Sequence, residues 1–279
     1  MGNLHFSSVA VIGLVAEGAL MIALPVVLLI IWKKKTHEKL LVPVAVGAVT
    51  WLLFAIVLKL APAYFLLQAD TPAAKAIAGN PWLSYLVAGA LAGVFEETGR
   101  YLAFRFALKK YTHRRASVSY GLGHGGFESA YIGFQIISVA MLGALIGAGL
   151  GEKILSSGTD EETLALIVTQ LAPYANATLG ECMLGVFERC VAIAMHLSLS
   201  VLVFAAVREK KFRLLYPAAV LLHAAFDFSI VLGTVFPIPA WGLELILAAL
   251  VVPIALLARH VYRKLKADEE PEADEISVG

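Results

Sequence analysis

Long apolar stretches alternate with short polar segments along the chain. A helix needs about 20 predominantly apolar residues to cross the hydrocarbon core of a bilayer, and each stretch meets that length. The pattern predicts an all-α, polytopic membrane helix bundle of about seven transmembrane helices. The predicted spans are 9–32, 40–66, 82–108, 118–150, 183–207, 214–232 and 239–262.

The loops at the two ends of these spans differ in charge. Loops 33–39, 109–115 and 208–213 are basic, and they alternate with neutral or acidic connections. Because basic loops remain in the cytoplasm, we expect the N-terminus outside and the C-terminus in the cytoplasm. We expect residues 1–266 to form a single membrane domain and residues 267–279 to form an acidic, disordered cytoplasmic tail.

Composition agrees with a membrane location. Hydrophobic residues make up 59% of the chain and charged residues 15%, whereas a soluble domain has about 25% charged residues. We therefore expect a multi-pass protein of the cell membrane, with lipid as its immediate partner. A formal net charge of +1 gives no case for nucleic-acid binding. The sequence leaves the oligomeric state open.

Ionisable side chains within the spans are the candidate functional residues, because placing such a group in lipid costs several kcal/mol. We identify four groups, on four different predicted helices. The groups are Glu96, Glu97 and Arg100; His124 and Glu128; Glu188, Arg189 and His196; and His223 and Asp227.

Spacing within the first group predicts its pairing. Glu96 and Arg100 are four residues apart, so they share a helix face and we expect them to pair. Glu97 then has no partner in its own helix. One of two adjacent carboxylates in such a setting suits a general acid or base.

The groups also lie at overlapping depths. At 1.5 Å per residue from the basic ends, Glu96 and Glu97 lie roughly 17–20 Å deep, and the three histidines roughly 10–17 Å deep. Independent polar residues would be scattered over the core thickness of about 30 Å. We therefore expect a single hydrated site. The alternative is a buried structural polar network.

Glycines at four-residue spacing mark faces of the third and fourth spans. They are Gly89 and Gly93 in one span and Gly143, Gly147 and Gly151 in the other. Such faces let helix backbones approach closely, so we expect these two helices to pack against each other. Ordinary glycine frequency in membrane helices is the alternative.

The candidate residues suit water-based hydrolysis. Histidines with carboxylates are good zinc ligands, and a glutamate can also activate water without a metal. The sequence contains neither the GxSxG pattern of serine hydrolases nor the HExxH pattern of zincins.

Four motifs occur in order: EExxR, HGGFE, ERxxAxxxH and HxxxD. This set resembles the YhfC family of intramembrane peptidases, over about residues 85–232. That family is similar, more distantly, to the PrsW proteases and to the CAAX-prenyl-endopeptidase and bacteriocin-processing group. The resemblance implies a membrane helix bundle with peptidase activity.

The resemblance also implies roles for the motif residues. Either Glu96 or Glu97 would activate the hydrolytic water, and His223 with Asp227 would bind metal or stabilise the oxyanion. The other residues of the implied site are Arg100, His124, Glu128 and His196.

The same resemblance implies a zinc site, with Glu97, His124, His196 and His223 as the expected ligands. The chain departs from the CAAX group in two places. Two residues instead of three separate the second glutamate from the arginine, and Glu128 stands where that group has histidine. The identity of the base and the presence of a metal are therefore both left open.

We expect an intramembrane endopeptidase that cuts a membrane-associated peptide or protein in the cytoplasmic half of the bilayer. A proton- or ion-coupled transporter is a second hypothesis, since acid and histidine relays also mark transport paths. A non-catalytic scaffold or immunity factor with a protease-like core is a third.

Overall fold

The computed structural model describes residues 4–36, 41–150 and 160–265. Within these ranges the chain is helical and contains no β-strand, as predicted. The predicted tail, 267–279, lies outside the described residues. The α-helices are α1 (Ser8–Thr36), α2 (Leu41–Trp51), α3 (Lys59–Leu67), α4 (Pro72–Ala78), α5 (Pro81–Leu102), α6 (Arg115–Gly147), α7 (Glu161–Leu171), α8 (Leu179–Arg208), α9 (Leu215–Phe228), α10 (Val231–Val235) and α11 (Ala240–Lys264).

Short non-α segments interrupt or join these helices. A π-helical segment, Leu52–Leu58, joins α2 to α3, and a second one, Ala103–Ala107, extends α5. Two 3-10 turns, Ala172–Tyr174 and Lys210–Phe212, follow α7 and α8. A π-helical segment rotates the residues that follow it relative to a regular α-helix, and such segments are frequent at functional sites.

Six helical segments in the described residues are long and apolar enough to cross a membrane, and a seventh span results if α4 and α5 count as one bent unit. The bend between α4 and the helix from Pro81 to Ala107 is 104°. The prediction of about seven spans is confirmed. The helix from Pro81 is the least uniform because Glu96, Glu97 and Arg100 interrupt its apolar sequence. The orientation of the termini stays a prediction.

Local sequence sets several helix ends. Asn80 caps α5 through its side chain, and Pro81 takes the first helical position. Thr178 and Glu181 form a reciprocal capping box at the start of α8. These caps satisfy backbone N–H groups that a helix cannot pair internally. They fix the starting points of two helices that carry candidate site residues.

Helix α8 is the centre of the bundle. Of its most apolar 18-residue stretch, 72% is buried, whereas the value is 28% or less for the other five helical segments that are long enough to cross a membrane by themselves. It packs against α1, α6, α9 and α11. Leucine side chains on the other helices are widely exposed, as expected for surfaces that face lipid; Leu41 is 80% and Leu221 70% exposed. An apolar core that includes Phe104, Tyr120 and Phe204 fills the bundle near the basic loops.

The glycine faces have other partners than predicted. A Cβ atom added at Gly93 would lie 2.5 Å from the carbonyl oxygen of Val220, so α5 packs tightly on α9. Gly89 makes the same kind of contact with α9, whereas Gly143 contacts the ring of Phe6. For the described glycines, the prediction that these faces pack against each other is therefore wrong, and Gly151 lies outside the described residues. A glycine face allows any neighbouring helix to approach closely. For α5 that neighbour is α9, which carries His223.

Candidate active site

A cluster of histidine and glutamate side chains lies where α5, α6 and α8 meet. Each of four residues offers one ligand atom, and these atoms all lie within 4.8 Å of one another. Three of the four side chains are buried and the fourth is largely so. The residues are Glu96, His124, Glu128 and His196.

Glu96 connects this cluster to the second span. Its Oε2 lies 3.3 Å from Nε2 of His124, and its Oε1 accepts a hydrogen bond of 3.3 Å from the ammonium of Lys59. Lys59 follows the π-helical segment Leu52–Leu58 directly. Glu96 thus obtains its cation from another helix instead of from Arg100.

Glu128 connects the cluster to α8. Its Oε2 lies 2.7 Å from Nε2 of His196, and its Oε1 accepts a hydrogen bond of 3.0 Å from Arg189. Arg189 also forms an ion pair with the adjacent Glu188. These contacts hold both carboxylate oxygens of Glu128 in fixed directions.

Glu97 points to a different set of partners and is completely buried. Its Oε1 accepts a hydrogen bond from Arg100 and lies 2.8 Å from Nδ1 of His223. The predicted pairing is therefore wrong, because Arg100 bonds Glu97 at i−3 and not Glu96 at i−4. Both spacings place residues on one helix face, and the guanidinium also lies 3.2 Å from Nδ1 of His196. Arg100 thereby joins α5 to α8.

His223 and Asp227 make a looser contact. Nε2 of His223 lies 3.7 Å from Oδ2 of Asp227, which is beyond hydrogen-bond distance. Asp227 is more exposed than its partner, with 30% of its side chain accessible. The aspartate therefore acts on the imidazole by charge and not by a direct bond.

The three histidine rings lie side by side. The ring centroids of His124 and His196 are 4.9 Å apart, and those of His196 and His223 are 5.4 Å apart. The predicted convergence of distant chain segments therefore occurs. The structure brings together all of the predicted site residues, namely Glu96, Glu97, Arg100, His124, Glu128, His196, His223 and Asp227. Their catalytic roles stay predictions.

A cavity of about 320 Å³ opens onto this cluster. Glu96 lines it, whereas Glu97 does not. From the level of the histidines, the lining residues on α6, α8 and α9 lie progressively nearer the helix ends that carry the non-basic loops. The charged and histidine lining residues are Lys59, Glu96, Glu128, Glu188, Arg189, His196, His223 and Asp227.

Glycines on α6 let its neighbours reach the site. A Cβ atom at Gly123 would lie 2.0 Å from the carbonyl oxygen of Val44 on α2. One at Gly125 would lie 2.9 Å from Cβ of His196. These glycines therefore allow close approach on both sides, and His124 lies between two other helices.

The sequence-based set of four intramembrane groups was incomplete. Lys59 lies within the second span and contacts Glu96, while Glu17 and Glu244 lie within the first and last spans. Glu17 is buried, and Oε2 of Glu244 is buried without a hydrogen-bond partner in the described part of the chain. A lone charged residue in an apolar run was the available signal for all three residues.

The four-residue cluster fits a zinc-type ion. Two imidazoles and two carboxylates are ligands that zinc accepts, at about 2.0–2.2 Å. Tetrahedral donors at that distance lie roughly 3.4 Å apart, so the cluster would need only a modest contraction. Two of the four expected zinc ligands, His124 and His196, belong to this cluster. Its other two members are the carboxylates of Glu96 and Glu128. Glu97 and His223 are outside it because they bond each other.

Comparison with known proteins agrees with the geometry. Residues 20–256 match the family described as YhfC intramembrane metalloprotease. The chain is 36% identical over 229 residues to the uncharacterized membrane protein YhfC of Bacillus subtilis (strain 168), covering 81% of this chain and 86% of that protein. No solved structure gives a significant match. With its apolar helices, the chain is a multi-pass membrane protein. It belongs to the YhfC family, whose description is that of an intramembrane metalloprotease.

Proposed function

We propose that this protein is an intramembrane endopeptidase that hydrolyses peptide bonds of membrane-associated substrates. The main supporting observation is that carboxylates and imidazoles from separate helices face one cavity within the bundle. Hydrolysis in a membrane requires water, a base and charge stabilisation at one point, and this cavity offers groups for each role.

Glu96 is the water-activating base in this proposal. A general base must reach the water and the substrate, and Glu96 lines the cavity whereas Glu97 is sealed from it. Glu97 acts as a positioning residue, since it bonds both Arg100 and His223. The sequence left the choice between the two glutamates open, and this proposal assigns the role to Glu96.

His124, His196 and Glu128 would hold a zinc-type ion, leaving one coordination position free for water or substrate. When bound, such an ion polarises the scissile carbonyl and makes bound water more acidic. Glu96 faces the same point and would take the proton of the attacking water. Glu128 keeps its orientation through Arg189.

Two further side chains of the cavity would handle charge in the reaction. Lys59 lies beside Glu96 and can stabilise negative charge that develops on the substrate carbonyl oxygen. His223 can deliver a proton to the leaving amine, and the carboxylate of Asp227 lies 3.7 Å from its Nε2. Both residues line the cavity, so both can reach a bound peptide.

The substrate would enter from the end of the bundle opposite the basic loops. The cavity lining runs from His196 to Glu188 on α8 and from Glu128 to Ile132 on α6, both toward the non-basic end. If basic loops are cytoplasmic, the substrate enters from the outer side. The catalytic groups keep their depth along the helices, so the expectation of cleavage in the cytoplasmic half is unchanged.

A cleavage experiment tests the activity. Membranes from cells that produce wild-type protein or Glu96→Gln are compared for newly formed peptide termini by mass spectrometry, and cleaved proteins are retested in proteoliposomes. We expect termini that require wild-type protein and persist in Arg105→Gln, a change at an exposed residue. Identical termini in all samples would contradict a hydrolase. Uptake driven by a pH gradient without cleavage would instead favour the transporter hypothesis.

Elemental analysis tests the metal. Purified wild-type protein should retain about one zinc-type ion per chain, and a His124→Ala/His196→Ala variant should lose it. His260→Ala is the control, since His260 is exposed on α11. Equal metal content in both variants would rule out the proposed ligands.

A further inference from the structure

A second crevice lies at the end of the bundle with the basic loops. It has a volume of about 410 Å³ and is formed by α1, α6, α8 and α11. Lys35, Arg115 and Arg259 line it, and none of its described lining residues is acidic. It shares only α6 and α8 with the candidate active site, and none of its lining residues belongs to that site.

The crevice is amphipathic along the membrane normal. The three basic residues lie near the ends of α1, α6 and α11, where a lipid headgroup would sit. Toward the membrane centre the walls become apolar, through Val118, Leu197, Val201, Ala255 and Ala258. Leu197 is 11 residues from the end of α8 at Arg208, which corresponds to about 16 Å of depth.

Two aromatic residues border the basic end, as is common where a protein meets the membrane interface. Trp32 donates a hydrogen bond of 3.0 Å from Nε1 to Oγ of Ser119, which holds its ring in the wall. Tyr262 lies under the guanidinium of Arg114, 4.9 Å from its ring centre. The crevice is therefore lined by side chains with fixed neighbours.

We propose that this crevice binds one anionic phospholipid, with the phosphate between Lys35, Arg115 and Arg259 and an acyl chain along the apolar walls. Basic pockets between transmembrane helices on the cytoplasmic side are suited to anionic headgroups. A soluble peptide would leave the apolar walls open to lipid. A neutral lipid would place no negative charge beside Lys35 and Arg259, and no acidic residue among the described lining residues supplies one.

The test measures retention of phosphatidylglycerol and of phosphatidylcholine with identical acyl chains on the purified full-length protein, by native mass spectrometry. Wild-type protein should retain one phosphatidylglycerol in clear preference to phosphatidylcholine. Lys35→Gln/Arg259→Gln should bind it roughly 30-fold more weakly, because each basic residue near an anionic lipid contributes about fivefold. Both residues are exposed, so the variant should fold normally.

Lys34→Gln/Lys264→Gln is the matched control. It removes the same charge from the same two helices, at exposed residues that do not line the crevice. The control should bind phosphatidylglycerol like the wild type. Equal retention of both lipids, or equal weakening in both variants, would overturn the proposal.

Two further measurements distinguish a bound phospholipid from other possible occupants of the crevice. Glycerol phosphate without acyl chains should not displace the lipid, and displacement at equal concentration would overturn the acyl-chain part of the proposal. Residues 267–279 are acidic in sequence. If phosphatidylglycerol is retained only after these residues are removed, the acidic tail occupies the crevice in the full-length protein. That result would overturn the lipid proposal.

Discussion

Glu96 and Glu97 are neighbours in the sequence, yet they belong to two different regions of the polar centre. Glu96 lies on the cavity side, with Lys59 and Glu128. Glu97 lies on the sealed side, with Arg100, and both side chains are fully buried. One residue along a helix is a rotation of about 100°. In the proposed mechanism, this single step separates the residue that reacts from the residue that positions its neighbours.

The sealed side connects the helices of the site. Arg100 contacts Glu97 and His196, and Glu97 contacts His223, so α5, α8 and α9 are joined through one buried ion pair. The cavity side has the opposite character, because its charges face a space that a substrate can enter. Changes on the sealed side should therefore alter stability first, and changes on the cavity side should alter turnover first.

The largest effect is expected for Arg100→Met. Removing this cation leaves the buried Glu97 carboxylate with only the imidazole of His223 beside it, and breaking a buried ion pair typically costs about 3–5 kcal/mol of the free energy of unfolding. Thermal unfolding in detergent measures the loss. Arg105→Met, at an exposed position of the same helix, should unfold like the wild type. Equal stability of the two variants would mean that the sealed side does not support the bundle.

A smaller effect, on turnover alone, is expected for Lys59→Met. Its ammonium bonds Glu96 at the cavity wall, and loss of one such charge typically lowers the rate of the chemical step by about 10²-fold. The rate of cleavage under single-turnover conditions is the measurement. Lys75→Met, at a lysine whose side chain is 71% exposed, is the control. Unchanged turnover with Lys59→Met would remove this residue from the mechanism.

The smallest effect is expected for Asp227→Asn. At 3.7 Å the contact with His223 is too long for a hydrogen bond, so we expect only about a two- to fivefold loss of turnover. The pH dependence of cleavage distinguishes a charge effect from a structural one, because only the former shifts the profile. A loss as large as that of Lys59→Met would show that the loose contact tightens on substrate binding.

Much of the fold was predictable because the membrane imposes simple rules. A span must be about 20 apolar residues long, so hydropathy located all the candidate spans in the described residues. Counting residues from the basic helix ends predicted which side chains meet for the same reason. Helices that cross one membrane place residues of equal depth side by side. Glu96 and His124, 28 residues apart, were expected at similar depth and are 3.3 Å apart in the structure.

Partner choice was not predictable, because it depends on rotation of each helix about its own axis. Arg100 has two carboxylates within one turn, and spacing alone cannot select between them. Lys59 was missed because it stands alone in its span, whereas the predicted residues occur in groups. The π-helical segment before Lys59 has no recognised sequence signal, and it contributes to the direction in which Lys59 points.

The central claim is that the carboxylate on the cavity side performs the chemistry and its neighbour does not. The direct test compares Glu96→Gln with Glu97→Gln in single-turnover cleavage, with metal content and unfolding temperature measured on the same samples. We predict that Glu96→Gln loses about 10³-fold or more in rate without unfolding, whereas Glu97→Gln loses far less rate and is the less stable protein. Near-normal cleavage by Glu96→Gln, with complete loss in a stable Glu97→Gln, would contradict the account.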